Sequence, residues 1–188
     1  AQPLPAQPGP PVEVIIDGTP PAAITDLAVA LGEDGGTAGT KQLVLGWTAP
    51  NDPEAETIEI WRRGYGDHPE YDDGTGTPAT LPVSADNDWI LVDTVAATAS
   101  GYTDDPGARD FWYYAVKSVD ACGNASPVAD GEIAGGILNY HLGDVVDPSD
   151  PAPAGDNLVD MADVSRLGAS YGTADGDDLY LNTLDIGP

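Results

Sequence analysis

Six aspartates fall within residues 144–163, at Asp144, Asp147, Asp150, Asp156, Asp160 and Asp163, just ahead of a run with helical spacing. Carboxylates spaced along a loop that feeds a helix are the donor set of a hard cation such as Ca2+, which takes about six to eight oxygens. A tight loop points every second residue inward, and the last ligand sits in the first turn of the helix that follows. Asp156, Leu158 (through its carbonyl), Asp160 and Asp163 keep the spacing of the second half of such a loop. Asp144 and Asp147 fit its first half. Residues 148–154, PSDPAPA, are inserted between the halves, and Asp150 competes there with Asp147. A plainer reading accounts for two of the six acids: Asp160 caps the helix and Asp163 sits at its third position, where both favour the helix dipole.

The helix is expected from Met161 to about Tyr171. Met161, Val164, Leu167 and Tyr171 share one face by i, i+3, i+4, i+7 spacing, and Gly172 is a natural stop. A single short helix cannot bury such a stripe by itself. The stripe must dock on the rest of the chain, on a second loop-helix or on a partner chain.

Composition narrows the setting. The 188 residues carry 32 acidic and 6 basic side chains, a formal net charge of −26. Phosphate backbones and anionic lipid surfaces both require Lys and Arg, so nucleic acid and membrane surfaces are poor partners. Cation binding, or a surface kept soluble at high salt, suits the balance. Cys122 is the one cysteine, which rules out an intramolecular disulfide and reads as a buried or half-buried thiol beside a turn, with an intermolecular bridge as the alternative. No stretch approaches the ~20 apolar residues of a membrane span. The opening residues AQPLPAQPGPP look like the start of a mature, exported protein, and an extracellular location is expected.

The elements that must position the acidic loop come earlier. Residues 1–11 contain five prolines and favour extended polyproline II. Val12, Val14, Ile15 and Ile16 then form a β-branched run ended by Asp17-Gly18. It reads either as an edge strand or ordered linker, or as a strand donated to the open sheet edge of another subunit. From Thr19 to about Tyr140, short alternating runs are separated by Gly, Pro, Asp and Asn. Strands are expected at 24–31, 42–47, 57–62, 89–92, 101–103, 111–119 and 128–138. This spacing argues a β-sandwich.

This region resembles a fibronectin type III domain over about 120 residues. The matching residues are Pro20-Pro21 with Ile24-Thr25-Asp26-Leu27, then Leu45-Gly46-Trp47 and Ile58-Glu59-Ile60-Trp61-Arg62. Tyr114-Ala115-Val116 and the stretch Val119 to Ser126 complete the match. The resemblance implies a seven-stranded sandwich with Trp47 in the core and Tyr114 as a corner tyrosine bonded back to the backbone. Residues 64–88 depart from it as a long acidic excursion. Asp67, Glu70, Asp72 and Asp73 there are a second candidate cation site, with plain solvated acids as the alternative.

The later segment resembles a dockerin repeat, a calcium-binding loop-helix of extracellular assembly modules. Gly143-Asp144 opens the loop, Gly155-Asp156 continues it, and Val159-Asp160-Met161-Ala162-Asp163 closes it. Dockerins pair two such units. Here the second is represented only by its lead-in at 179–188, where Tyr180 and Asp185 echo Tyr140 and Asp144.

The expected organisation is thus an arm (1–18), a mainly β sandwich (19–137) and a calcium-binding region (138–188). No catalytic constellation is recognisable. His68 and His141 read as solvated residues, and Arg62-Arg63 as paired with surface acids. The leading functional reading is a non-catalytic extracellular structural protein, stabilised by Ca2+, whose partners are further copies of itself in a fibre or a cohesin-like receptor module. Val12, Val14, Ile15, Ile16, Val164, Leu167 and Tyr171 are the candidate partner-binding residues. The alternatives are the anchoring region of a secreted glycoside hydrolase, and a carbohydrate-binding sandwich with Trp89, Trp112 or Tyr65 as a stacking platform.

Overall fold

A computed structural model of the chain describes residues 17–32, 42–64, 83, 88–128, 134–141, 143–147, 155–156 and 158–180. Val12, Val14, Ile15, Ile16, the acidic residues Asp67 to Asp73, Tyr65, His68, Asp150 and Asp185 lie outside the described residues.

The β-rich reading holds: the described residues form two antiparallel sheets and one helix. The strands are β1 (Ala28–Leu31), β2 (Leu43–Gly46), β3 (Ala55–Gly64), β4 (Ile90–Ala96), β5 (Gly101–Asp104), β6 (Phe111–Asp120) and β7 (Ala134–Leu138), followed by α1 (Met161–Ser170). One sheet has the order β1-β2-β5 and the other β4-β3-β6-β7. Period-2 patterning decides which side chains meet between them. In β2, Leu43 and Leu45 are buried while Val44 is exposed. In β3, Ile58 and Ile60 point inward. Trp112, Tyr114 and Val116 do the same on β6, and with Ile24 and Trp47 these residues make the inter-sheet core. Trp47 satisfies its buried N–H by donating to the Ala99 carbonyl at 2.8 Å.

The first strand begins later than its pattern suggests. Residues 24–27 enter the core at Ile24 but make no ladder. Here the Asp26 carboxylate takes the Thr48 N–H and hydroxyl, and Asp52 takes the Ala22 N–H at 2.8 Å. Side-chain acceptors bridging to residues 48 and 52 thus replace strand pairing in this entry segment.

β6 is buried on both faces. Its outer face, at Tyr113 and Ala115, is covered by Val83 and Trp89 from the segment between β3 and β4. Lys117 on the same face donates to the Val83 carbonyl at 2.7 Å and stands over the Trp61 ring. Trp89 and Trp112 are therefore core residues, which removes both from any exposed stacking platform.

Three further expectations need correction. Cys122 is exposed, not buried. It sits on a tight turn whose N–H groups at Cys122 and Asn124 both point at the Asp120 carboxylate. Arg62 is not a surface partner: it reaches between the sheets to Asp104 on β5, at 2.6 Å, and lies over the Trp112 ring. Tyr114 donates to that same carboxylate at 2.6 Å, a side chain and not the backbone. Burial pushes the Tyr114 phenol well above its ordinary pKa, and the neighbouring Asp104 charge adds to this, so the hydroxyl stays a donor.

Arg62, Asp104 and Tyr114 form a polar clasp across an otherwise apolar core. Removing one partner strands the other charge, at a cost of about 3–5 kcal/mol for buried pairs. Arg62→Ala is expected to lower the unfolding free energy by about 3 kcal/mol, and Tyr114→Phe by about 1–2 kcal/mol. Urea denaturation followed through tryptophan fluorescence checks both values.

Candidate functional site

The chain beyond β7 is tied to the sandwich at once. Asn139 is fully buried. Its Nδ2 donates to the Ala108 carbonyl at 2.8 Å, and its Oδ1 accepts the Asp110 N–H at 3.0 Å. These two bonds bracket Arg109 in the β5–β6 connection and fix its backbone. The guanidinium lies 4.8 Å from the centre of the Tyr140 ring. Its Nη1 donates to the Asp144 carbonyl at 2.6 Å, and its Nη2 pairs with the Asp144 carboxylate.

Asp144 is 1% exposed. The turn that carries it closes through its own N–H on the His141 carbonyl at 3.1 Å. Gly143 within that turn has φ +91°, a conformation that favours glycine. Gly155 packs against the pair from the far side of the loop. A Cβ there would collide with the Asp144 carboxylate and the Arg109 guanidinium, so only glycine fits.

Asp163 organises the other end. Its Oδ1 accepts the N–H groups of Val145 (2.8 Å) and Val146 (3.0 Å), and its Oδ2 accepts the Asp160 N–H at 2.8 Å. Asp160 in turn caps α1 through the Ala162 N–H, completing a capping box. The plainer reading of these two acids is therefore realised, with an addition: Asp163 also draws the head of the loop to the helix start. Burial opposes ionisation of Asp163, but the Asp160, Val145 and Val146 amides outweigh it and hold the carboxyl below the usual aspartate range.

The remaining candidates are more open. Asp156 is half-buried and accepts the Leu158 N–H at 3.0 Å. Asp147 is half-buried, and Leu158 and Asp160 are exposed. The structure thus brings Asp163 to residues 145–146 and Asp144 to Arg109. Among the described residues, no three His, Cys, Asp or Glu side chains stand together as a metal-holding group. Asp156 and Asp160 each accept one N–H and keep oxygen acceptor capacity of the kind a hard cation takes, as does the Leu158 carbonyl, whereas the buried Asp163 already accepts three amides. Asp144 fits less well, because a guanidinium already neutralises it.

The apolar stripe of α1 faces outward. Met161 is 73% and Tyr171 90% exposed, and Val164, Leu167, Leu158 and Val159 are exposed as well. The one buried residue of the helix is Asp163. The helix ends as expected, with Tyr171 as C-cap and Gly172 at φ +81°. Among the described residues, no helix is long and apolar enough to cross a membrane.

Arg109, Asn139 and Tyr140 were not singled out as site residues by the sequence. Arg109 did carry one signal, as one of only 6 basic residues among 32 acids.

No family model matches the chain, and a search of curated proteins finds no match.

The depressed pKa of Asp163 gives a pH dependence. Such a group contributes stability that is fully present above the unfolded value of about 3.9 and is lost as pH falls through the lower folded value. In chelator, acidification from neutral pH through that window is expected to melt α1. Asp163→Asn lowers stability at neutral pH and flattens the acid slope, as read from thermal melts by circular dichroism.

Proposed function

We propose that the chain is a non-catalytic structural subunit of an extracellular assembly. Its sandwich is the rigid body, and its loop-helix, closed on Ca2+, is the joint through which it docks on a second copy of itself. The observation that carries this reading is the outward stripe of Met161, Val164, Leu167 and Tyr171 on α1. A contiguous apolar face of this kind marks an interaction surface in a soluble protein, and here it lies beside an acidic loop.

Three further features support it. Two sheets of three and four strands, in the orders β1-β2-β5 and β4-β3-β6-β7, agree with the fibronectin type III resemblance, which belongs to a class of rigid spacer domains. The meeting of residues 145–146 with the start of α1 agrees with a dockerin-like loop-helix. A Lys-poor, Asp-rich surface suits the calcium-rich space outside cells. The ion would be held by Asp156, Asp160, Asp163 and the Leu158 carbonyl, with Asp147 and Asp144 as the first-half candidates. It would supply the positive charge that these acids lack. The arm around Val12, Val14, Ile15 and Ile16 would add a strand to the neighbouring subunit.

The test is sedimentation velocity and electron microscopy of the full chain, with Ca2+ and with chelator. Assemblies are expected with Ca2+, and Leu167→Asp is expected to dissolve them. A monomer at every concentration overturns the reading. Capture by a cohesin-like module without self-association would favour anchoring of a secreted enzyme instead. Polymers that persist without residues 1–16 remove the donated strand. By titration calorimetry, Asp156→Ala and Asp163→Ala are each expected to weaken Ca2+ binding at least about tenfold, in line with loss of one charged ligand. Unchanged binding places the ion elsewhere.

A further inference from the structure

We infer that Asp144 is a latch residue and not a metal ligand. Arg109, reaching out from the sandwich, supplies the positive charge that the opening aspartate of the loop takes up, and so fixes the loop-helix to the sandwich whether or not a metal is bound. This rests on the loop-helix reading above and changes its ligand set.

Four observations on different elements converge on it. First, the guanidinium engages Asp144 twice, at the carboxylate and at the backbone carbonyl. An aspartate that ligates a metal does so through its carboxylate; a grip on its backbone carbonyl as well sets the path of the segment. Second, Arg109 is aimed before it binds. Asn139 holds the residues on both sides of it, and Tyr140 lies under its plane. Third, the pair is enclosed. The Asp144 side chain is 0% and the Arg109 side chain 20% exposed, and Gly155 closes over both where no Cβ has room. With no exposed carboxylate surface, Asp144 could be reached by a cation only after the loop moved. Fourth, cations are scarce here, at 6 Lys and Arg in 188 residues. Arg62 is spent on the inter-sheet clasp and Lys117 on the outer face of β6. Arg109 does the corresponding work between sandwich and loop.

The consequence is a division of the acidic loop into two halves neutralised by different cations. Residues 143–147 are held by Arg109 and by the Asp163 carboxylate that accepts Val145 and Val146. Asp156, Asp160 and Asp163 remain for the metal. The joint is therefore oriented before calcium arrives, and calcium completes it.

The experiment is amide hydrogen exchange on the full chain in chelator, paired with Ca2+ titration calorimetry. In chelator, the Val145 and Val146 amides of the wild type are expected to stay protected. Arg109→Gln and Asp144→Asn should each lower that protection about tenfold or more, since breaking one side of a buried pair leaves the other uncompensated. The double variant should lose little beyond either single one, the mark of a shared interaction. Arg109→Lys should recover part of the loss, because a lysine replaces the charge but not the fork that reaches carbonyl and carboxylate together.

Gly155→Ala provides a variant outside the sandwich. It breaks the same pair from the loop side and should reproduce the loss even if Arg109→Gln disturbs the β5–β6 connection. In calorimetry, Asp144→Asn and Arg109→Gln should lower Ca2+ affinity to the same extent, within about threefold of each other, because each breaks the latch and neither removes a ligand. A drop of more than tenfold for Asp144→Asn, with Arg109→Gln unaffected, would make Asp144 a ligand and overturn the latch. So would unprotected Val145 and Val146 amides in the chelated wild type. If the wild type binds no Ca2+ at all, the calcium reading fails, while the exchange measurements in chelator still decide the latch.

Discussion

A guanidinium held over an aromatic ring and paired with a buried aspartate is the contact on which the two parts of this chain depend. Arg109 and Asp144 are 35 residues apart, and between them they join the β5–β6 connection to the loop that precedes α1. Taking both charges out of water costs several kcal/mol per ion, and the attraction repays it only if geometry is good and the remaining hydrogen-bonding groups are met. Here the repayment is partial: Asn139 fixes the backbone on either side of Arg109, Tyr140 lies beneath the guanidinium and Nη1 makes a second bond to the Asp144 carbonyl, while the buried Arg109 Nε has no partner among the described residues. The Arg62–Asp104 pair follows the same logic inside the sandwich, with Tyr114 as the supporting donor and Trp112 as the ring. Arg62 and Arg109, two of the few cations of this acidic chain, each stand where a buried aspartate would otherwise be stranded.

That economy also decides what could be read from the sequence. The strands were legible because their cause is local. Leu43, Leu45, Ile58 and Ile60 announce a buried face by alternation alone. The helix was legible for the same reason, from Asp160 at its start to Gly172 past its end. The clasps were not legible. Nothing near Arg62 distinguishes a guanidinium that turns inward from one that meets a surface acid, because the partner lies 42 residues away. Arg109 is likewise surrounded by ordinary turn residues. Cys122 shows the reverse error. A lone cysteine is usually a buried one, but the turn built on the Asp120 carboxylate carries it outward.

The acidic loop was half legible, and the reason lies in the chemistry of aspartate. A carboxylate at the first turn of a helix can cap backbone N–H groups, coordinate a cation, or do both. Asp160 and Asp163 satisfy the spacing rule of each, so residue type and spacing could not separate them. The three-dimensional arrangement adds what spacing lacks. Asp163 spends its oxygens on three amides from two segments, which makes it the closure of the loop as well as the cap of the helix. Asp144, formally the loop's first acid, is the one whose neighbours differ in kind from the others.

The helix itself is held in an unusual way. Its one buried side chain is an acid, while Met161, Val164, Leu167 and Tyr171 face solvent. An isolated helix of ten residues is marginal in water, because nucleation is costly and few bonds repay it. In most proteins the apolar face supplies the difference. Here the polar N-terminus supplies it, through the capping box and the bonds from Asp163 to the loop head. Such an arrangement holds a helix in position without using its apolar side. In the assembly proposed above, burying that side against a partner would add stability to a helix that is marginal by itself. The acid-held N-terminus and the bare stripe would then be two parts of the joint proposed above.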